Sequence, residues 1–206
     1  MTVYEMFKKN PVCAILRNIP DDRIVLYAQT AYQAGIRLFE VAMNTKNAAA
    51  QIGLLKSRLP KDGVVGAGTV LSLSDCQSAY SAGAQFFLTP SASVRTMEFC
   101  VENEIPLIPG VMTPSDVALC VSHGFHLLKL FPAGCMPPGY VKSLRGPFDG
   151  TEYIAVGGVS PENMGEFFRQ GYVGVGIGSN LIPKKMADEG RWDDAENYLS
   201  GWMGTL

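Results

Sequence analysis

The sequence predicts a (β/α)8 barrel built as one domain over residues 1–206, with a helix before the first strand and a closing helix at the end. Three observations carry that prediction. Four times a helix-like stretch ends in glycine and passes at once into an apolar strand, at Gly35, Gly83, Gly124 and Gly171, which lie 48, 41 and 47 residues apart. Glycine just past a helix takes the left-handed C′ position without a Cβ penalty, so each marks a helix-to-strand junction. Further apolar runs at 12–17, 64–68, 106–109 and 153–156 bring the strand count to eight. Finally, Thr113-Pro114-Ser115-Asp116 and Ser160-Pro161-Glu162 place a hydroxyl N-cap before proline, with acid in the first turn, directly after strands. Short strands alternating with helices indicate parallel βαβ units, and eight of them in 206 residues favour closure over an open sheet.

Taken in order, strand one is too short for a signal-peptide core or a membrane span and ends in Arg17-Asn18-Ile19-Pro20. That ending lacks the glycine fingerprint of a dinucleotide-binding domain. Alternation puts Glu40, Ala42 and Asn44 on one face of strand two. Strand three ends in Gly66-Ala67-Gly68-Thr69, a hydroxyl beside glycines that admit a ligand close to the backbone. Strand six reads Leu127-Leu128-Lys129-Leu130-Phe131-Pro132 and places Leu127, Lys129 and Phe131 on one face, with His126 on the other, where packing or solvent awaits it. Strands seven and eight end in Val156-Gly157-Gly158-Val159-Ser160 and Gly174-Val175-Gly176-Ile177-Gly178-Ser179. The tail past Pro183, with Trp192, reads as a closing helix carrying an aromatic anchor.

With 47% hydrophobic and 17% charged residues the chain can fill a large core. A net charge of −2 supplies no field that would attract nucleic acid or an anionic membrane, so neither is expected as a partner. Five scattered cysteines without a C-x-x-C pair suggest neither a disulfide framework nor a zinc site, and only two histidines, His123 and His126, are present. A cytoplasmic protein without a metal or other cofactor is the expectation.

In a barrel the chemistry belongs at the C-terminal ends of the strands. Lys129 lies in an apolar run, and desolvation disfavours its charged form, freeing the neutral amine that forms Schiff bases with carbonyl substrates. Glu40 is the matching carboxylate, suited to moving protons. A buried ion pair without catalytic duty is the competing reading, but it would desolvate two charges for little stability. The glycine loops after strands seven and eight offer exposed amides of the kind that bind phosphate in many barrels. Arg17 could add a charged contact to a ligand anion or stand in solvent at the rim.

Phe39-Glu40-Val41, Gly66-Ala67-Gly68-Thr69-Val70-Leu71, Thr89-Pro90, Ile108-Pro109-Gly110, Lys129-Leu130-Phe131-Pro132-Ala133, Gly146-Pro147-Phe148, Gly157-Gly158-Val159 and Gly178-Ser179 follow one another across nearly the whole chain. As a set they resemble the motifs of the 2-keto-3-deoxy-6-phosphogluconate (KDPG) and 4-hydroxy-2-oxoglutarate (KHG) aldolases. The resemblance implies a homotrimeric, metal-free class I aldolase that cleaves KDPG to pyruvate and glyceraldehyde 3-phosphate, as in the Entner–Doudoroff pathway. It further implies that Lys129 forms the Schiff base, Glu40 shuttles protons through a bound water, and Thr69 binds the pyruvyl carboxylate. Pro90 and Phe131 would shape the pyruvyl pocket, and Gly157, Gly158, Gly178 and Ser179 would hold the phosphate.

Two positions depart from the pattern. Many such aldolases carry arginine where this chain has Asn44, and often threonine where it has Val156. Both choices look more like the 2-keto-3-deoxy-6-phosphogalactonate aldolases, whose substrate is inverted at C4. Asn44 would bind a carboxylate without charge, leaving Arg17 to compensate. The rival readings are a phosphate-binding isomerase or synthase, which would not need Lys129, and a catalytically silent sugar-phosphate binder.

Overall fold

The computed structural model describes residues 3–178 and 181–205. A short helix, α1 (Val3–Lys9), leads into β1 (Val12–Leu16), and strands and helices then alternate. They run α2 (Ile24–Gln33), β2 (Leu38–Ala42), α3 (Ala48–Arg58), β3 (Val64–Gly68), α4 (Leu73–Ser81), β4 (Phe87–Leu88) and α5 (Val94–Glu102). The second half comprises β5 (Leu107–Ile108), β6 (Gly110–Val111), α6 (Pro114–Ser122), β7 (Leu127–Leu130), α7 (Tyr140–Arg145), β8 (Glu152–Val156), α8 (Met164–Arg169) and β9 (Gly174–Ile177). Two helices, α9 (Lys184–Asp188) and α10 (Trp192–Met203), close the chain.

Among the described residues these strand segments form one parallel sheet in the order β5-β4-β3-β2-β1-β9-β8-β7-β6. Nine segments make eight staves, because β5 and β6 are consecutive pieces of one stave divided at Pro109. Proline has no N–H for the ladder, so the regular pattern lapses there. The stave nevertheless bonds on both sides: Ile108 O accepts from Thr89 N–H at 3.2 Å and Pro109 O accepts from Lys129 N–H at 2.9 Å. The barrel is thereby nearly closed.

Alternation along each strand separates two cores. Outward residues such as Ala14, Phe39, Val65, Leu128, Tyr153 and Val175 pack beneath the helices. Inward residues, including Cys13, Ile15, Leu38, Phe86, Leu88, Ile108, Leu127, Ile154 and Val156, fill the barrel together with Met6 and Phe7 of α1. The interior is narrow, and two inward glycines make room for its rings. A Cβ on Gly174 would lie 2.5 Å from the Phe7 ring, and one on Gly66 would lie 2.5 Å from that of Phe86. Thus α1 plugs the N-terminal end and leaves the opposite mouth for chemistry.

Helix caps agree with the sequence in part. Thr113 accepts from Asp116 N–H while the Asp116 carboxylate accepts from Thr113 N–H, and Ser72 with Asp75 repeats the arrangement. Such a cap contributes about 1 kcal/mol. The expected cap at Ser160 is displaced: α8 starts only at Met164, because the Asn163 side chain turns back to accept from Ser160 N–H and donate to Gly158 O. Those two bonds commit residues 158–163 to a loop above β8. The closing helix matches its expectation, with Trp192 meeting Tyr27 of α2 edge-on at 6.5 Å. No helix among the described residues is long and apolar enough to cross a membrane.

Candidate active site

Lys129 sits on the inward face of β7, one step deeper than Phe131, and is 4% exposed. Its Nζ lies 5.3 Å from the centroid of the Phe131 ring. Burial pushes its pKa below the ordinary lysine value; the charge of Glu40 pulls it back up, and that of Arg17 lowers it further. Glu40, on the inward face of β2, is 1% exposed, and burial raises its carboxyl while Lys129 and Arg17 oppose the rise. The two side chains act on each other through space without forming a direct ion pair, and Glu40 Oε2 has no hydrogen-bond partner. A carboxylate so placed keeps its acceptor capacity for something between itself and the amine.

Gly68 creates the space in which Glu40 lies: a Cβ there would fall 1.4 Å from Oε1 and 2.0 Å from Cδ. Next along the chain, Thr69 adopts a positive φ of 54° and its Oγ1 accepts from Arg17 Nη2 at 3.0 Å. Arg17 is exposed and reaches from the end of β1 across the mouth to the residue that follows β3. The Asn18 amide behind it donates to the buried hydroxyl of Thr45 at 3.1 Å, fixing the loop that carries the arginine.

Above this level opens a cavity of about 420 Å³ whose walls include Ile15, Arg17, Phe131, Val156, Gly157, Gly158 and Gly178. Lys129 and Glu40 lie beneath it, each adjoining a wall residue: Phe131 is the next inward position on Lys129's stave, and Ile15 is the aligned strand neighbour of Glu40. Gly157 and Gly158 take φ values of +87° and +79°. That left-handed turn carries the chain past the Phe131 ring, 3.0 Å from where a Gly157 Cβ would stand, and leaves room for Gly134, whose N–H donates to Gly157 O at 2.8 Å. Gly134 was not expected from the sequence; its signal was only a glycine two residues past Pro132.

Pro90 follows β4, and its carbonyl lies across Gly110, the aligned partner of Lys129. Asn44 departs from expectation. Strand β2 ends at Ala42, so Asn44 stands exposed in the following turn and not on the Glu40 face of the strand, outside the cavity walls. Ser179 lies outside the described residues. His126 is exposed near the opposite end of the barrel. Among the described residues no cluster of three or more His, Cys, Asp or Glu could hold a metal ion.

A buried amine of lowered pKa, a buried carboxylate beside it and an open mouth with glycine amides are together equipped for imine chemistry on a small anionic carbonyl compound, the province of the class I aldolases. Comparison with known proteins agrees. The model of the KDPG and KHG aldolase family matches residues 3–198, and the chain belongs to that family. It is 32% identical over 174 residues to the 2-dehydro-3-deoxy-phosphogluconate aldolase of Pseudomonas aeruginosa, covering 84% of this chain and 79% of that one. It is 30% identical over 175 residues to the 2-dehydro-3-deoxy-6-phosphogalactonate aldolase of Escherichia coli, covering 84% and 85%. Among solved structures, the KDPG aldolase of Legionella pneumophila, with pyruvate captured as a covalent carbinolamine, superposes with a TM-score of 0.86 at 26% identity, covering 98% of each chain.

Proposed function

We propose that this protein is a class I aldolase that cleaves 2-keto-3-deoxy-6-phosphogluconate to pyruvate and glyceraldehyde 3-phosphate, and 4-hydroxy-2-oxoglutarate to pyruvate and glyoxylate. The observation that carries the reading is Lys129: an amine of lowered pKa, buried in a barrel stave beside a carboxylate with a free oxygen. Neutral Lys129 Nζ attacks the C2 ketone, and Glu40, acting through a water, protonates the carbinolamine oxygen so that water leaves and the iminium forms. The C4 hydroxyl then loses its proton to the same relay. The C3–C4 bond breaks, its electron pair passes into the iminium to give an enamine, and the aldehyde departs. Protonation of the enamine at C3 and hydrolysis return pyruvate and the free amine.

Thr69, held by Arg17, binds the pyruvyl carboxylate, and Arg17 supplies the positive charge beside it. Phe131 and Pro90 flank the pyruvyl unit. Gly157, Gly158, Gly178 and Ser179 receive the phosphate, which favours the left-handed Gly157-Gly158 turn with its amides free of side chains. The galactonate epimer is the second reading, supported by the apolar wall that Val156 and Ile15 present and by the galactonate-acting relative. Trapping tests the assignment: pyruvate with borohydride should modify Lys129 alone, whereas an unmodified protein, or equal labelling of Lys129→Ala, would remove it. Comparing both phosphates at equal concentration decides the epimer.

The reading includes assembly as a homotrimer in the cytoplasm. Free cysteines, four of them buried, suit a reducing compartment. Of the eight large hydrophobic residues exposed among those described, Leu71, Leu73, Tyr80, Val94 and Val101 lie on α4, α5 and the loop leading into α4. Leu73 and Tyr80, like Val94 and Val101, are seven apart and share a helix face. Such a patch supports contact between copies. Light scattering should give three chains for the wild type and fewer for Val101→Glu; a wild-type monomer would refute the assembly.

A further inference from the structure

The geometry points to Thr89 as a positioning residue for Lys129, a role that rests on the Schiff-base reading above. Thr89 is 2% exposed and stands just past β4, where proline interrupts the sheet twice. Pro90 follows it, Pro109 divides the neighbouring stave, and neither has an N–H to give to the ladder. The last ordinary rung between these staves runs from Thr89 N–H to Ile108 O. Beyond it the threonine hydroxyl takes over: Oγ1 accepts from Gly110 N–H at 3.2 Å and donates to Ser91 O at 2.9 Å.

What the hydroxyl holds is the strand segment against which Lys129 is registered. Gly110 is the aligned partner of Lys129 in the sheet, and Pro109 O accepts from Lys129 N–H at 2.9 Å. Gly110 is also tightly hemmed, since a Cβ there would fall 2.3 Å from the Pro90 carbonyl carbon and 2.6 Å from Ser91 N. The Thr89 hydroxyl therefore takes the Gly110 N–H that a regular ladder would give to a backbone carbonyl, and locks three features together: the Pro90 turn, the divided stave and the backbone origin of the reactive amine. A hydrogen bond made by a side chain can be deleted by substitution while every backbone donor and acceptor is kept, which makes the role testable.

Thr89→Val preserves shape but leaves Gly110 N–H buried without an acceptor, so the stave must shift to satisfy it. A misplacement on the order of 1 Å at a reacting group costs about 100-fold in rate. The experiment measures the rate and the final stoichiometry of pyruvate–borohydride trapping on wild type, Thr89→Val and Thr89→Ser. The expected result is a rate about 100-fold lower for Thr89→Val with full final labelling, and near wild-type kinetics for Thr89→Ser, which keeps the oxygen. Loss of final labelling with an unchanged rate for the labelled fraction would mean a merely structural role and overturn the proposal, as would an unchanged rate in folded Thr89→Val. Should Thr89→Val not fold, Thr89→Ala is read by the same criterion. Failure of the wild type to label would instead overturn the Schiff-base reading itself.

Discussion

Replacing Gly68 by alanine perturbs the Glu40 carboxylate without changing any group that reacts. A methyl at that position would overlap the side chain, at 1.4 Å from Oε1, 2.0 Å from Cδ and 2.5 Å from Cγ. Glu40 is 1% exposed, so its displacement must be accommodated within the packed barrel interior. Overpacking of this kind costs about 1–3 kcal/mol of stability. A general acid–base group contributes about 10²- to 10⁴-fold, and a carboxylate moved off its line to Lys129 forfeits most of it. Gly68→Ala should therefore lower kcat for keto-deoxy acid cleavage by about 10²- to 10⁴-fold, read by coupling pyruvate release to lactate dehydrogenase, and should lower the melting temperature. Adding Glu40→Ala removes the clashing atoms, so the double variant should melt above Gly68→Ala yet stay inactive, a non-additivity expected for groups in contact. A folded Gly68→Ala with the kcat of the unsubstituted protein would refute the reasoning, because the carboxylate would then not need the place it occupies.

The barrel was legible because its signals are local and repeated. Glycine at each helix-to-strand junction and alternation along each strand follow from backbone geometry alone, so the sequence places Lys129 and Phe131 on one face of their strand and Glu40 with Ala42 on one face of theirs. Alternation fails once a strand ends, and the sequence does not announce that end: β2 stops at Ala42, and Asn44 leaves the face that extrapolation gave it. Arg17 and Thr69 illustrate a different limit. They are 52 residues apart, and their bond depends on closing the barrel, which no window of sequence contains. Gly68 and Thr89 were visible as motif residues, but what each touches, a carboxylate overhead and an amide on the next stave, is a property of packing between staves. The motif sequence supplied the components of the site; closure of the sheet decided which of them meet.

Burial raises the folded-state pKa of Glu40 above its unfolded value, so the wild type loses stability as pH rises from the ordinary glutamate range through the raised folded value. Glu40→Leu should thus melt higher than wild type at pH 7, lose that advantage below the ordinary glutamate range, and lose about 10²- to 10⁴-fold in kcat; a lower melting temperature at pH 7 would contradict it. Arg17 lowers the pKa of Lys129, so Arg17→Ala should move the acid limb of kcat/KM to higher pH, and losing the bond to Thr69 should raise KM for pyruvate by about 10-fold in the condensation direction. An unmoved acid limb would show that the arginine does not act on the amine. Val156 is 4% exposed in the cavity wall, where threonine would keep the shape and add one hydroxyl facing the ligand. If that wall reads the substrate hydroxyl at C4, Val156→Thr should shift the ratio of kcat/KM for the gluconate and galactonate phosphates by about 10- to 100-fold toward gluconate, whereas an unchanged ratio would mean that C4 is recognised elsewhere in the mouth.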